Sequence, residues 1–405
     1  MRLPSRRVVV ASLVAVLGAG TYLVTHNGPA AAAGESLFVT GAGPGGGPHV
    51  RLFRTLGAQE TSTSFFAYDA GFHGGVEVAM GDLNGDGQDE IITAAGPGGG
   101  PHVRVWTLGG APIDKWSFMA YDPAFTGGVH LGVADVDGNG DMEIITGAGA
   151  GGGPHVRVWD IVNDHPVVKS ERMAYDTGFH GGVFVAGAYT NADSDNESVV
   201  TAAGPGGGPH VKVWSPDLAT TTNQFMAYDP PYNGGVSVTA FDEDGDNVDE
   251  IFTSALGGRG HIRSFDVNTP NPGDVSFAAF DERVATGAQI AFLDAEDGPI
   301  IAAPYGGGLG PCSIDQTPPN CANRGDYVRG FDLDGNPTIQ ALPYGAGWTG
   351  GVRVAAGFGI VPVTPPPTTT TSTSTTTTST STTTTTVPET TTTTVPETTT
   401  TTAAP

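Results

Sequence analysis

The chain has 405 residues, with 42 Asp and Glu against 17 Lys and Arg, a formal net charge of −25, and 62 glycines. This length allows one large domain with appendages. An acidic surface repels phosphate backbones and no basic patch is present, so we expect no nucleic-acid partner. The same acidity suits binding of divalent cations, or simply solubility.

Residues 1–33 are predicted to be an export signal. Arg2, Arg6 and Arg7 precede the apolar run Val8–Val24, and the small residues Ala30–Ala33 offer a cleavage site. The run is close to membrane-spanning length, so a retained N-terminal anchor is the alternative. The arginine pair also resembles the start of a twin-arginine signal. We expect cleavage, a mature chain without a membrane span, and a secreted or cell-surface protein.

Residues 35–362 form a tandem repeat. A glycine-rich stretch leads into a His-containing strand as GAGPGGGPHVRLF at Gly41–Phe53, and again at Ala94–Trp106 and Ala202–Trp214. The repeated histidines, at steps of 53, 53, 55 and 51 residues, are His49, His102, His155, His210 and His261. A fixed period of this size indicates stacked or circularly arranged units.

Each repeat carries four short strand signals and no helical one. In one copy they are Gly127–Val136, Met142–Gly149, His155–Ile161 and Val167–Asp176, all rich in β-branched or aromatic residues and bounded by turn residues. Four strands repeated about six times predict an all-β fold, a six-bladed β-propeller of four-stranded antiparallel blades. A β-solenoid is the structural alternative.

The order of the fragments favours a closed ring. The domain enters on the strand signal Leu37–Gly43 and ends on Gly350–Phe358, a strand with no acidic loop after it. The last strand therefore supplies what the first unit lacks. We expect the N- and C-terminal strands to complete one blade, which removes exposed sheet edges.

Acidic loops separate the first and second strand signals of each unit. Loop 1 spans Asp82–Glu90, loop 2 Asp135–Glu143, loop 3 Tyr189–Ser198, loop 4 Asp242–Glu250 and loop 5 Asp294–Gly298. In loops 1, 2 and 4, positions 1, 3, 5 and 9 carry side-chain oxygens, position 7 can offer its carbonyl, and Gly or Asn at position 6 permits a left-handed backbone. Hard oxygens at this spacing favour Ca²⁺ over Mg²⁺, which demands stricter octahedral geometry. Solvated Asx turns are the alternative.

The predicted Ca²⁺ ligands come from the three regular loops. They are Asp82, Asn84, Asp86, Gln88 and Glu90; Asp135, Asp137, Asn139, Asp141 and Glu143; and Asp242, Asp244, Asp246, Val248 and Glu250. Loop 3 lacks acids at positions 1 and 3, and loop 5 is truncated. We therefore expect weak or no binding at both.

The acidic loop followed by EIITGAG or EIITAAG resembles the FG-GAP repeat, also called VCBS-type, of integrin α-chain propellers and many bacterial secreted proteins. The resemblance covers residues 35–362 and implies Ca²⁺ binding by the side chains at loop positions 1, 3, 5 and 9. The Phe-Gly pair of the family is Gly74-Gly75 here, and we count six units rather than the seven of integrins. The family includes adhesion modules, lectins and some enzymes, so the fold does not fix the function.

Two further turns recur at the opposite end of each predicted blade. The GPGGGPH stretch lacks the Lys and the helix of a phosphate-binding loop, so we interpret it as a hairpin turn. The second is AYD-x-x-F-x-GG, which could be a contact between blades or a ligand surface. Shallow loops with aromatic rings and carboxylates suit sugars or peptides. The residues predicted to face a ligand are His102, Tyr121, Asp122, Tyr175, Asp176, Tyr228 and Asp229. A hydrogen-bonding role in packing is the alternative for the histidines.

Two segments depart from the repeat. An insertion in the sixth unit contains Cys312 and Cys321, which are predicted to form a disulfide in an exported chain; free thiols are expected only if the protein stays cytosolic. Residues 363–405 are rich in Thr and Pro and too poor in apolar residues to fold, which predicts a disordered, extended tail.

The sequence favours an exported Ca²⁺-binding propeller that acts as a monomeric binding or adhesion module for an extracellular glycan or protein. A secreted polysaccharide-processing enzyme and a purely structural envelope protein are the alternatives. We do not expect an enzyme, because no nucleophile elbow, zinc motif or Ser/His/Asp cluster is present and faithfully repeated sites are more often architectural.

Overall fold

The computed structural model describes residues 35–54, 59–269, 271–280, 286–293, 300–306, 328–345, 348 and 350–360. These residues form a six-bladed β-propeller in which every blade is a four-stranded antiparallel sheet, which confirms the predicted fold. One 3₁₀ turn, Asp114–Trp116, precedes the short outer strand of the second blade. Within the described ranges, no helix has the length and apolar character needed to cross a membrane.

The strands follow the chain around the ring, from the innermost to the outermost strand of each blade. Blade 1 holds β24 (Val352–Gly359), β1 (Glu35–Ala42), β2 (His49–Arg54) and β3 (Gln59–Phe66), and blade 2 holds β4 (Val76–Gly81), β5 (Glu90–Ala95), β6 (His102–Trp106) and β7 (Phe118–Met119). Blade 3 holds β8 (Val129–Ala134), β9 (Glu143–Ala148), β10 (His155–Val162) and β11 (His165–Met173), and blade 4 holds β12 (Val183–Ala188), β13 (Ser198–Ala203), β14 (His210–Trp214) and β15 (Thr221–Met226). Blade 5 holds β16 (Val236–Phe241), β17 (Glu250–Ala255), β18 (His261–Asp266) and β19 (Pro272–Ala278), and blade 6 holds β20 (Ala288–Phe292), β21 (Ile300–Pro304), β22 (Val328–Phe331) and β23 (Pro337–Ala341).

The ring closes through blade 1. Strand β24, near the end of the domain, pairs antiparallel with β1 along its whole length, from Glu35 opposite Gly359 to Ala42 opposite Val352. The C-terminal strand is therefore the innermost strand of the blade that the N-terminal strand begins. This confirms the predicted closure and excludes the open solenoid.

The hydrophobic core lies between neighbouring blades. Both faces of the inner strands are buried, as in β5 and β9, whereas the outer strand β11 is mostly exposed. Trp106 of blade 2 packs on Phe65 of blade 1 with ring centroids 4.5 Å apart, and Trp159 of blade 3 packs on Phe118 of blade 2 at 4.3 Å. The repeated tryptophans Trp106 and Trp159 are therefore inter-blade core residues.

Several predicted features fall outside the described residues. They are the export signal, loop 5, the insertion with Cys312 and Cys321, and the Thr/Pro-rich tail. These stay predictions.

Candidate functional site

The acidic loops join the first and second strands of their blades and curl around the carboxylate at position 1. In loop 2, Asp135 Oδ1 accepts the N–H groups of Gly138 at 2.7 Å and Asn139 at 3.1 Å, and Oδ2 accepts that of Gly140 at 2.9 Å. The position-6 residues have left-handed φ values of 84° at Gly87, 97° at Gly140 and 66° at Asn247. The backbone conformation that the sequence predicts at position 6 is therefore present in all three loops.

Two of these loops gather carboxylates closely enough to share one cation. Asp135, Asp137 and Glu143 of loop 2 place one oxygen each within 4.8 Å of one another, and so do Asp242, Asp244 and Asp246 of loop 4. Clusters of hard oxygens at this separation could hold a metal ion. Glu250 of loop 4 uses Oε2 to accept the backbone N–H of Glu243 at 2.8 Å.

Loop 1 has the same curl but a different contact at its centre. Asp82 Oδ2 accepts the N–H of Gly87 at 2.7 Å, as Asp135 does for Gly140. The Asn84 amide nitrogen donates to Glu90 Oε1 at 2.9 Å, so this amide turns its nitrogen rather than its oxygen towards the glutamate. Asp86 Oδ1 accepts the N–H of Gln88 at 2.9 Å.

The residues at position 7 make the same backbone contact in all three loops. The N–H groups of Gln88, Asp141 and Val248 donate to the position-5 side chains at 2.9, 2.6 and 2.8 Å. Metal coordination through the position-7 carbonyl stays a prediction.

The glutamates at position 9 have strongly perturbed acidity. Burial, with the nearby aspartates, raises the pKa of Glu90, Glu143 and Glu250 to about 7 in each case, although each accepts one backbone hydrogen bond that acts in the opposite direction. Without a cation, ionising these groups costs free energy. A bound cation would remove that cost.

In loop 2 a lysine already supplies positive charge. The Lys169 ammonium donates to Asp137, to Glu143 Oε1 at 3.1 Å and to Asp160 Oδ2 at 3.2 Å. Lys169 lies on the outer strand β11, where Val158 pairs with Ser170 and Trp159 with Val168, so Lys169 is the extra residue of a β-bulge. Burial lowers the pKa of Lys169, but hydrogen bonds to the carboxylates outweigh it and the net shift is upward.

The acidic loops also fasten neighbouring blades together. The residue directly before the second strand donates its N–H to a carbonyl of the preceding blade at 2.7–3.0 Å. The pairs are Asp89–Phe358, Met142–Asp82, Glu197–Asp135 and Asp249–Tyr189. Where this residue is acidic, its carboxylate accepts an N–H in return, in the pairs Asp89–Phe358, Glu197–Asp135 and Asp249–Tyr189. We call this pair of hydrogen bonds the inter-blade clasp. Among the described residues, loop 3 has no set of three metal-ligand atoms within 4.8 Å of one another. It still carries its clasp through Glu197.

The glycine turns, between the second and third strands, lie at the opposite end of the propeller, which we call the glycine-turn face. The tyrosines of this face connect blades: the single O–H of Tyr121 lies within 2.9 Å of the carbonyl oxygens of both Thr146 and His155 in the next blade and can donate to either. Tyr68, Tyr175, Tyr228 and Tyr344 donate in the same way to His102, His210, His261 and His49. The tyrosine hydroxyls are thus engaged in packing.

The other residues predicted to face a ligand differ in accessibility. Asp122, Asp176 and Asp229 are exposed, and the side chains of Asp122 and Asp176 cap their own turns by accepting a backbone N–H two residues on, at 2.8 Å in both. His102 bonds Ser117 of the same blade at 2.7 Å. Of this set, the aspartates offer the open surface, and a role in ligand binding stays a prediction for all of them.

A third feature, which the repeat pattern does not reveal, lies on the propeller axis. The second residue of each innermost strand differs in every blade; the six are Glu77, His130, Phe184, Ser237, Gln289 and Arg353. Glu77 meets Arg353 in a buried ion pair, and Tyr305 stacks on that arginine. We call Glu77, His130, Gln289, Tyr305 and Arg353 the axial cluster. Aligning GGVEV, GGVHL, GGVFV, GGVSV, GAQI and GGVRV would have revealed this variable position.

Above the axial cluster lies a cavity of about 440 Å³ that opens among the glycine turns. Glu77, His130, Tyr305 and Arg353 line it together with Trp348, and the remaining wall consists mainly of glycine and proline. We call this cavity the axial funnel. A volume of this size falls within the range of small-molecule pockets.

The fold and loops define a class, the six-bladed β-propeller with acidic loops between the first two strands of its blades. A sequence model of the FG-GAP-like repeat family matches residues 82–146, which contain loops 1 and 2. The family match is thus limited to two of the acidic loops and the strands around them, within a six-bladed β-propeller. No curated protein sequence matches the chain.

Solved structures resemble the chain only distantly. Apo AztD from Citrobacter koseri is 11% identical, with 81% of this chain and 100% of that chain covered and a TM-score of 0.40. Rhamnogalacturonan lyase PL11 from Bacillus licheniformis is 14% identical, with 76% and 64% covered and a TM-score of 0.36. The V. cholerae biofilm matrix protein Bap1 is 18% identical, with 68% and 40% covered and a TM-score of 0.33. Similarity at this level does not indicate function.

Proposed function

We propose that the protein is an exported, Ca²⁺-stabilised β-propeller that acts as an extracellular binding or adhesion module. The observation that carries the metal assignment is the convergence of three carboxylate oxygens within 4.8 Å in loop 4 and again in loop 2. Ca²⁺ is the cation that best suits such a set, because it takes six to eight oxygen ligands at flexible angles. Water and carbonyl oxygens would complete the shell.

The distribution of apolar surface supports the binding role. On the rim of the glycine-turn face, large apolar side chains are exposed at the same position of four adjacent blades: Phe66 (52%), Met119 (45%), Met173 (44%) and Met226 (53%). Isolated exposed apolar residues need no explanation, but recurrence at one position of one face favours an interaction surface. Methionine side chains adapt to irregular partner surfaces.

The exposed turn aspartates lie on the same face as this apolar rim. Asp122, Asp176 and Asp229 offer acceptors for hydroxyl or amine groups of a glycan or a protein. We therefore place the partner on the glycine-turn face and the cations on the opposite face. We expect the mature chain to be a monomer at the cell surface or outside the cell.

The polysaccharide-processing enzyme is the second candidate, because the axial cluster breaks the repeat with a Glu, a His, an Arg and a Tyr. Its carboxylate is poorly suited to acid–base catalysis. Burial opposes ionisation of Glu77, but Arg353 and His130 outweigh it and lower its pKa to about 2. A carboxylate of such low basicity is a weak general base. The geometry thus supports binding better than catalysis.

Elemental analysis and thermal unfolding with and without a chelator test the Ca²⁺ assignment. We expect bound Ca²⁺ and a lower melting temperature after chelation; identical unfolding curves and a metal-free protein would contradict it. Glycan and extracellular-protein arrays probed in Ca²⁺ test the binding role. We expect the triple variant Asp122→Ala, Asp176→Ala, Asp229→Ala to lose the partner, and the exposed control Asp217→Ala to keep it.

A further inference from the structure

The axial cluster is a buried ionic and polar network whose contacts join four blades. Arg353 Nε donates to Glu77 Oε1 at 2.5 Å, and Arg353 Nη1 donates to the Tyr305 carbonyl at 2.6 Å. From across the axis, Gln289 Nε2 donates to Glu77 Oε2 at 3.3 Å. Both charged side chains are about 5% exposed. Burying such a pair adds little net stability, because desolvation offsets the attraction.

Two polar atoms of the cluster have no hydrogen-bond partner among the described residues. They are His130 Nδ1, which lies 3.8 Å from Glu77 Oε1, and Gln289 Oε1. The His130 ring is held in place by stacking on Phe184 with centroids 3.9 Å apart. An unsatisfied buried polar atom costs free energy, and His130 lines the cavity, so its Nδ1 indicates a ligand group that completes the hydrogen bond.

The wall of the funnel above the cluster combines aromatic rings with a small number of polar side chains. Trp348 lines it, at the turn position that Phe72, Phe125, Phe179 and Tyr232 occupy at other blade junctions. The Trp348 indole N–H donates to the Gly351 carbonyl at 2.8 Å, which fixes the ring. Glycine and proline at the turns keep other side chains away from the opening.

We propose that the axial funnel binds one neutral, hydroxyl-rich ring, the terminal pyranose of a glycan, with Trp348 and Tyr305 as apolar contacts and with His130 and Glu77 as hydrogen-bond partners of its hydroxyl groups. The charges of Glu77 and Arg353 cancel, so the floor offers no excess charge to an anion or a cation. A hydroxyl group both donates and accepts hydrogen bonds, so a ligand rich in O–H groups can satisfy His130 Nδ1 in either tautomer and donate to Glu77. This inference rests on the proposed binding function and assigns its ligand class and site.

Saturation-transfer NMR on the mature protein with Ca²⁺ tests the assignment. The probes are the methyl pyranosides of the common hexoses, 6-deoxyhexoses and pentoses, with methyl glucuronoside and butylammonium as charged comparisons. We expect a neutral methyl pyranoside to bind and the charged probes to bind at least about tenfold more weakly. Absence of binding by every neutral probe, or preferential binding of butylammonium, which would assign the funnel to a protein amine, overturns the proposal.

Variants locate the site. Trp348→Ala and His130→Phe should each weaken binding of that pyranoside at least about tenfold. Phe125→Ala changes the equivalent turn residue at another junction, outside the funnel lining, and should leave binding unchanged. Equal binding by the wild type and both funnel variants overturns the site. If array partners bind the wild type and both funnel variants alike, the binding function stands and the funnel assignment fails.

Discussion

At the scale of single residues, Lys169 places a positive charge in loop 2. Its ammonium contacts Asp137 and Glu143. A lysine that contacts two of the expected ligands competes with a cation for them. We therefore expect Lys169 to weaken Ca²⁺ binding at loop 2.

Replacing this lysine should improve the site. Lys169→Met keeps the aliphatic length and removes the charge, so we expect the Ca²⁺ affinity of loop 2 to rise at least about tenfold, as measured by calorimetric titration. Lys115→Met is the matched control, because Lys115 is half exposed and pairs with Asp164 away from the loop. An unchanged affinity in Lys169→Met would mean that the ammonium leaves the loop when the ion binds.

The position-9 glutamates predict a pH dependence of the chelated protein. Their pKa of about 7 in the folded state lies above the ordinary value of 4.5, so folding binds protons, and the stability this contributes is lost as pH rises through 7. The melting temperature in chelator should therefore fall as pH rises from about 5 towards 7 and change little above about pH 8. Burial and a neighbouring Arg or Lys lower the pKa of the five turn histidines from its ordinary value, which favours their neutral form.

The control for this experiment is the same pH series in Ca²⁺. A bound cation favours the ionised glutamates, so the fall in melting temperature should be smaller or absent. Glu143→Gln should also reduce the slope in chelator. Parallel curves with and without Ca²⁺ would show that these carboxylates do not face the ion.

The repeated residue patterns could be predicted from the sequence. Contacts at positions that vary between repeats, or that depend on how two strands align, could not. The curled loops follow from Asp and Gly at fixed spacing, because each loop needs only its own atoms. Glu77 and Arg353 are 276 residues apart, and only ring closure brings them together. Lys169 reaches loop 2 through a β-bulge, which no local sequence signal marks.

At the scale of elements, the inter-blade clasp couples each acidic loop to the preceding blade. At three junctions the clasp has two hydrogen bonds, whereas Met142 has no carboxylate to accept the second one. The residue preceding the second strand thus fastens blades whether or not its loop has the residues for a cation. This accounts for the acid at Glu197 in the otherwise irregular loop 3.

Removing a clasp carboxylate should destabilise the ring. Glu197→Met copies the residue found at the Met142 junction and leaves the buried N–H of Asp135 without its acceptor. We expect a loss on the order of 1–3 kcal/mol in the free energy of unfolding, measured with urea. Asp195→Ala, an exposed acid of the same loop, should change it by less than about 0.5 kcal/mol. If the two substitutions lowered the free energy of unfolding equally, the clasp would not contribute to stability.

At the scale of the whole molecule, stability depends on the closing strand. A chain that ends at Gly350 lacks β24, which exposes the edge of β1 and leaves Glu77 buried without Arg353. We expect this protein to aggregate or to be cleaved rapidly by protease. A chain that ends at Val363 keeps β24 and should behave as the full chain does. Equal protease resistance of the two truncations would mean that closure adds little.

The pairing of β1 with β24 also determines how the domain would respond to force. Glu35 and Gly359 are cross-strand partners, so the chain enters and leaves the ring at adjacent points. Antiparallel hydrogen bonds run across the strands, so tension between these two points pulls along the bonds and loads them one pair at a time. Under tension the ring would thus open by sequential loss of the hydrogen bonds between β1 and β24, starting at the Glu35–Gly359 pair.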